Sequence, residues 1–497
     1  MHERYVQSEI AEIWSDAYKL KLWQKTELAV LIAMARLDLI AQEVPTKIAE
    51  ILEAIPIDLD WWKVRDKEVN HDLNAFLDER RRHLPLDLQP YWHASGMTSY
   101  DTEEPAMAEM LRISTDVVVG QIQPLLRVLM VLAKKYRFTF MMAKTHGQEA
   151  ELQSFGLRFL RYHEQLWDDH DNLIHAAGVA TRMSKLSGAI GNYGGLSPEV
   201  EKIALELLGL KPFYGATQIM PRELYAPLAQ ALAQTVGTLD KIGMDIRLGA
   251  RSGRPIMQEP FGKKQKGSSA MPHKKNTIAT EQLEGMSRMA LGYLQMIMNN
   301  ISTWEERAIE QSCVERVAWP DLFHVAVQSL KVANRVLSGL RVYPDNMFKE
   351  IVDTRGTYAA SHAKELLKGW MVDLLPDADE AYRIVQLAAF NAIEPSQYAL
   401  DLRDNPPLSM EDAMRHLVAV ESGKADVSRI NIKDIISSGS LRISSQLAAD
   451  EATVERLNVA LRQVFLISSH LEDWKLVFDL PHLLRHEAFL YEKILDL

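Results

Sequence analysis

The chain has 497 residues, 47% of them hydrophobic and 25% charged, with a formal net charge of -11 at pH 7. That balance supports a large core and excludes the broad basic face of a nucleic-acid binder. The single cysteine, Cys313, excludes an intramolecular disulfide and cysteine-rich metal sites. The longest uninterrupted apolar run, Leu28–Ala35, is far short of a bilayer span, and Glu3, Glu9, Glu12 and Asp16 do not suit a signal or transit peptide. Cytoplasmic residence with no membrane partner is the expectation.

In chain order, the first third reads as helices joined by polar and proline-bearing links. Leu22–Leu39 is too long for a strand and rich in Ala and Leu. The pattern breaks at Asp58–Trp62 and resumes after Val69-Asn70-His71-Asp72. Residues 92–101 have the composition of a loop leading into a helix, with Ser99 or Asp101 as cap and Glu103 and Glu104 in the first turn. Thr145-His146-Gly147-Gln148 lies in a stretch expected to lead into another helix.

From about Pro105 to Leu340 long amphipathic runs dominate. Leu125, Leu129 and Leu132 mark one, Leu224, Leu228, Leu232, Val236, Leu239 and Ile242 a second, and Leu283, Met286, Ala290, Leu294 and Ile297 a third. β-branched alternation is nearly absent, so the expected class is all-α, with a central bundle of long helices. Met286–Met298 is apolar on more than one side, which predicts oligomerisation through the bundle. Beyond Tyr343-Pro344-Asp345, Pro376-Asp377 and Asn405-Pro406-Pro407 are helix stops and Ser437–Ser440 is a turn. Leu457–Leu466 and Leu480–Leu495 are the clearest helical runs there. The expected domains are 1–104, 105–345 and 346–497.

The densest chemistry lies in Gly262–Asn276, where Lys263, Lys264, Lys266, Lys274 and Lys275 form a cationic island in an acidic chain. Glycines at both ends of the basic run let the backbone approach a ligand, and the charge suits a small anion. Gly262 and Gly267 have P-loop spacing, but Ser268 stands where the phosphate-binding lysine belongs and no β-rich run precedes it. Ser268 also lacks a nucleophile elbow, and no histidine or cysteine spacing selects a metal. His71-Asp72, the His146-Gly147 pair and the cluster Arg307, Ser312, Glu315 and Arg316 are the other polar groups that stand out. Any one such histidine alone is better explained as a structural or exposed residue; their joint occurrence is informative.

Gly267-Ser268-Ser269-Ala270-Met271-Pro272-His273-Lys274-Lys275-Asn276 resembles the Gly-Ser-Ser-x-Met-Pro-x-Lys-x-Asn signature of the fumarase/aspartase superfamily at every fixed position. Within it, several segments resemble the adenylosuccinate lyases. These are the Arg4-Tyr5 start, Gly96-Met97-Thr98-Ser99-Tyr100-Asp101, Thr145-His146-Gly147-Gln148, Thr217-Gln218 with Arg222, and Glu306-Arg307 through Ser312 to Val314-Glu315-Arg316. The resemblance covers residue 3 to about Met347. It departs at Thr277, where the family has proline; at His93, one residue further from Gly96; at Glu149 and Glu151; and at 308–313, which read Ala-Ile-Glu-Gln-Ser-Cys.

The resemblance implies a β-elimination releasing fumarate from a succinylated purine nucleotide, without metal or organic cofactor. Removing a proton beside a carboxylate needs a placed base and stabilisation of the developing dianion. Ser268 would be the base, its ionisation helped by Lys274, Lys275 and loop N–H groups. Lys274 and Asn276 would hold the succinyl carboxylate, His146 would protonate the leaving nitrogen, Glu281 would orient it and His71 would assist. Asp72, Thr98, Ser99, Thr145, Gln218, Ser269 and Met271 would contact substrate; Arg4, Tyr5, Arg307, Ser312 and Arg316 would receive the phosphate. The segment 262–267 would be a closing lid. The family's sites lie between subunits of a homotetramer. A sister lyase of argininosuccinate or carboxymuconate type and a non-catalytic helical relative are the alternatives.

Overall fold

The computed structural model describes residues 1–370, 372, 379–393, 473 and 476–495. Two compact units result. The first comprises Met1–Leu129, Tyr162–Ala250 and Gln258–Arg341; the second comprises Met130–Arg161, Arg251–Met257 and Val342–Leu497.

The first unit opens with α1 (Ser8–Ile13), α2 (Asp16–Arg36), α3 (Val44–Ala54), α4 (Leu59–Val69) and α5 (Asp72–Arg81). Local chemistry sets their ends. The Ser15 hydroxyl accepts the Tyr18 N–H at 3.2 Å at the start of α2, and Asp58 accepts that of Trp61 at 3.0 Å before α4. Asn70, at φ 52, closes α4 in the left-handed conformation. Trp23, Phe76 and Trp92 meet in the core of these helices, together with Leu20, Ile48, Leu52 and Leu73.

The long helices follow: α6 (Ser99–Lys135), α7 (Phe155–Thr181), α8 (Pro198–Leu207), α9 (Ala226–Gly249), α10 (Ile278–Asn299) and α11 (Glu310–Ser338). By length and composition alone α6 could cross a membrane. It nevertheless buries Leu111, Val118, Ile122, Leu125 and Leu129 in protein, as a core helix does. On α9 the predicted face holds: Leu228, Leu232, Val236, Leu239 and Ile242 are fully buried. Leu224 falls instead in the 3-10 turn Arg222–Leu224, because Pro227 in the first turn sets the helix start after it. Helices α9, α10 and α11 pack on one another. Gly243 lets α9 approach α10, since a Cβ there would lie 3.2 Å from the Thr280 carbonyl. The outer side of α10 leaves Leu291, Met296 and Met298 exposed, with Met244 and Leu248 exposed on α9.

The second unit contains β1 (Phe140–Thr145) and β2 (Gln148–Ser154), an antiparallel hairpin, where the sequence reading expected an approach to a helix. Its two-residue turn is His146-Gly147, with φ of 54 and 79. Positive φ at both central positions is the type I′ geometry that matches strand twist, and glycine makes the second position free of strain. Around the hairpin pack α12 (Pro344–Asp353), α13 (Ala360–Trp370) and α14 (Asp379–Ile393), with Met142, Ile351, Ala363, Leu367 and Val385 in the core. The run Leu480–Leu495 forms two short helices, Leu480–Leu483 and Glu487–Leu495, rather than one. Asp479 caps the first, and the Glu487 carboxylate at the start of the second accepts the Ser154 N–H at 3.0 Å. Tyr491 completes that junction by bonding the Ser154 hydroxyl at 2.9 Å. Pro376-Asp377, Asn405–Pro407, Ser437–Ser440 and Leu457–Leu466 lie outside the described residues.

Candidate active site

The signature segment forms a loop ahead of α10, closed at its neck. A Cβ on Gly267 would lie 2.0 Å from the Lys274 carbonyl oxygen, so only glycine lets the two arms meet. Asn276 clasps the same neck by donating its amide to the Gly267 carbonyl at 2.8 Å. Inside the ring, the Ser268 Oγ accepts the backbone N–H groups of Ala270 at 3.3 Å and Met271 at 3.1 Å. Two N–H dipoles aimed at one hydroxyl oxygen favour its ionised form. Ser269, Met271 and Lys274 are exposed, and the Lys275 ammonium lies 5.9 Å over the Phe261 ring.

Thr277 does not cap α10 with its side chain; its hydroxyl donates to Glu281 at 3.4 Å. The helix start is held from a distance by Glu259, whose carboxylate accepts the N–H groups of Ala279 at 3.2 Å and Thr280 at 3.1 Å. Glu259 therefore performs the capping that a local residue usually provides.

Three sequence segments converge elsewhere in the first unit. Gly96, at φ 95, lies so close to Gly195 that a Cβ would fall 2.2 Å from its carbonyl carbon. Thr98 precedes α6, and its N–H donates to the Asp101 carboxylate at 2.8 Å. Asp101 thus caps from within the first turn, and Ser99 is the first helical residue rather than the cap. Asp101 also pairs at 2.7 Å with the fully buried Lys185. Thr217 donates to the Glu306 carbonyl at 2.7 Å, and Arg307 to the Gln218 side-chain oxygen at 2.8 Å. The Arg307 guanidinium lies 4.2 Å over the Tyr100 ring, whose hydroxyl meets that of buried Ser312. Gln218, Arg307, Ser312 and the loop after Gly96 are therefore brought together.

Asp72 accepts Arg316 at 2.8 Å. His71 accepts the Asn74 N–H at 3.4 Å, so it caps α5, and its ring stands 4.0 Å from Asp72. Arg4 and Tyr5 lie in a 3-10 turn, with Arg4 exposed. In the second unit, Thr145 and Gln148 pair across the last rung of the hairpin, and His146 is presented at its exposed tip. His93, at φ 64, bonds the buried Glu27 at 3.1 Å. Burial alone would lower the imidazole pKa, but the Glu27 carboxylate prevails and the net shift is upward.

The sequence pattern names Arg222, Glu104 and Glu315 separately but not the buried network they form. The Arg222 guanidinium meets Glu104 at 2.5 Å and Glu315 at 2.8 Å, and Tyr225 donates to Glu104 at 2.8 Å. Burial raises the Glu315 pKa, with Arg222 opposing it. Beside this network a cavity of about 240 Å3 is lined by Trp14, Trp23, Asp72, Tyr100, Ser312 and Arg316 among others. Glu103 also faces it, as the helical turn after Tyr100 dictates. Among the described residues no group of three or more His, Cys, Asp or Glu is arranged for a metal.

The lyase family model matches residues 5–292. The adenylosuccinate lyase of Synechocystis sp. is 36% identical over 79% of this chain and 89% of its own length, and that of Aquifex aeolicus 35% over 79% and 89%. The adenylosuccinate lyase of Bacillus subtilis is 31% identical over 79% of this chain and 89% of its own. Among solved structures, a fumarate lyase from Mesorhizobium sp. BNC1 superposes with a TM-score of 0.73 at 20% identity, covering 94% of this chain and 99% of that one. A β-carboxy-cis,cis-muconate cycloisomerase from Acinetobacter calcoaceticus gives 0.69 at 19%, covering 95% and 97%. These two likenesses concern the fold, whereas the family rests on the sequence match over residues 5–292 and on the identity to the curated relatives. The chain belongs to the adenylosuccinate lyase family of the fumarase/aspartase superfamily.

Proposed function

We propose that the chain eliminates fumarate from adenylosuccinate to give AMP, and from the succinylated aminoimidazole carboxamide ribotide to give the free carboxamide, in purine nucleotide biosynthesis. As a carbon–nitrogen lyase it breaks the bond between the amine nitrogen and the succinyl carbon. The observation that carries the mechanism is the pair of N–H groups directed at the Ser268 Oγ. In its alkoxide form Ser268 takes the proton from the carbon next to a succinyl carboxylate. Lys274, with the loop amides, stabilises the charge gathering on that carboxylate. The C–N electron pair then leaves with nitrogen, to which His146 supplies a proton. Glu281 orients His146, and His71 assists at the substrate.

Thr98, Ser99 and Gln218 contact the succinyl part, Asn276 holds its carboxylate with Lys274, and Thr145, Ser269, Met271 and Asp72 contact the substrate. Arg4, Tyr5, Arg307, Ser312 and the solvent side of Arg316 receive the 5′-phosphate. No metal or organic cofactor takes part, and the setting is the cytoplasm. The functional division follows 1–104, 105–345 and 346–497. A homotetramer with shared sites covers the exposed Leu291, Met296 and Met298, and light scattering at micromolar concentration should return four chains; a monomer mass refutes it.

The primary test is incubation of purified protein with adenylosuccinate. AMP and fumarate are expected in equal amounts. No release from adenylosuccinate, with fumarate released from argininosuccinate or a carboxymuconate cyclised to its lactone, would transfer the chain to a sister reaction.

A further inference from the structure

The cavity beside the Arg222 network contains a carboxyl group that the proposed mechanism does not use. Glu103 projects from α6 into it, half-buried, three residues after Ser312's partner Tyr100. The other carboxylates nearby have partners. Asp72 pairs with Arg316 at 2.8 Å, Glu104 and Glu315 share Arg222, and Asp16 lies 3.6 Å from Lys19. No hydrogen bond or ion pair among the described residues engages Glu103.

The charges facing it come from every side. Lys19 and Asp16 stand on α2, Asp72 on α5, Tyr100 and Glu104 on α6, and Glu315 and Arg316 on α11, with Arg307 and Arg222 from the preceding segments. The cavity walls carry three cations, Lys19, Arg222 and Arg316, against five carboxyl groups, Asp16, Asp72, Glu103, Glu104 and Glu315. With every group ionised they are net negative, a poor seat for phosphate, and a neutral Glu103 reduces that excess. Trp14, Trp23, Met107 and Met110 supply apolar walls of the kind that receive a planar ring.

We propose that this cavity seats the planar base of the substrate and that Glu103, as a neutral carboxylic acid, pairs with its donor–acceptor edge. The inference rests on the reaction proposed above and names the residue that reads the heterocycle. A neutral carboxyl offers one O–H donor and one carbonyl acceptor side by side. That matches the ring nitrogen and the adjoining N–H of an aminopurine, or the C=O and N–H of a carboxamide. Burial first, then the Asp72 charge, pushes the Glu103 carboxyl up to about 8, so it is mostly protonated at neutral pH.

The test compares wild type, Glu103→Gln and Glu103→Ala by KM and kcat for adenylosuccinate and by calorimetric binding of AMP, from about pH 6 to about pH 9. As Glu103 ionises, the wild-type KM and AMP dissociation constant should rise about fivefold between pH 8 and pH 9. Glu103→Gln keeps a donor and an acceptor, so that rise should vanish. Glu103→Ala should weaken AMP by about tenfold or more at every pH, the cost of losing two hydrogen bonds. The same pH profile in wild type and Glu103→Gln, or unweakened AMP binding by Glu103→Ala, overturns the assignment. No AMP binding by the wild type overturns it as well. Wild-type AMP binding with the expected pH dependence but no turnover would remove the proposed reaction and leave the base seat standing.

Discussion

Ser268→Ala should lower turnover of adenylosuccinate by about 10²- to 10⁴-fold, the range removed with a general base. Circular dichroism should be unchanged, because the hydroxyl is replaced within a loop and no core contact is lost. An ordinary serine hydroxyl is far too weak an acid to ionise at neutral pH. Here the Ala270 and Met271 N–H groups already point at its oxygen, at 3.3 Å and 3.1 Å. A hydrogen bond to an anion is worth about twice one to a neutral acceptor, so both bonds strengthen when the proton leaves. Lys274 and Lys275 add positive charge from the same ring, and closure of the lid would strengthen every one of these interactions by excluding water. Retention of turnover within about tenfold by Ser268→Ala would assign the base elsewhere.

Arg222→Met should destabilise the chain by about 3–5 kcal/mol, read as a lower urea midpoint, because it leaves buried carboxylates without their cation. Arg222 is 4% exposed and donates to Glu104, to both oxygens of Glu315 and to the Met220 carbonyl. Glu104 keeps Tyr225 and the Met220 N–H, but Glu315 loses its two guanidinium bonds. The pH dependence has a definite sign. The Glu315 pKa is already raised by burial and rises further without Arg222, so the native state then holds its proton more tightly than the unfolded chain. That contribution is present below the ordinary carboxylate pKa and is lost as pH rises through the raised one, so acidification should narrow the gap to wild type. Adding Glu315→Gln should recover part of the loss at neutral pH. A destabilisation below about 1 kcal/mol would show that the network is hydrated and weakly coupled.

The sequence by itself determined the helical class, the long faces of α9 and α10, and the membership of the signature segment in one lyase family. The reason is that 3.6-residue periodicity and a ten-residue motif are local properties: Leu228, Leu232, Leu239 and Ile242 face inward wherever α9 packs, and Gly267 is required by a contact seven residues away. Other features escaped because their causes are not local. The His146 hairpin depends on two successive positive φ angles, and only Gly147 advertises one. The start of α10 is capped by Glu259, far outside any capping box. Glu103 and Glu104 read alike as acidic residues of a first turn, favourable to the helix dipole. Tertiary structure alone separates them, burying Glu104 against Arg222 from another segment and leaving Glu103 facing a cavity without a partner among the described residues. Adjacent residues on a helix point about 100° apart, so identical side chains met different dielectric surroundings and took different roles.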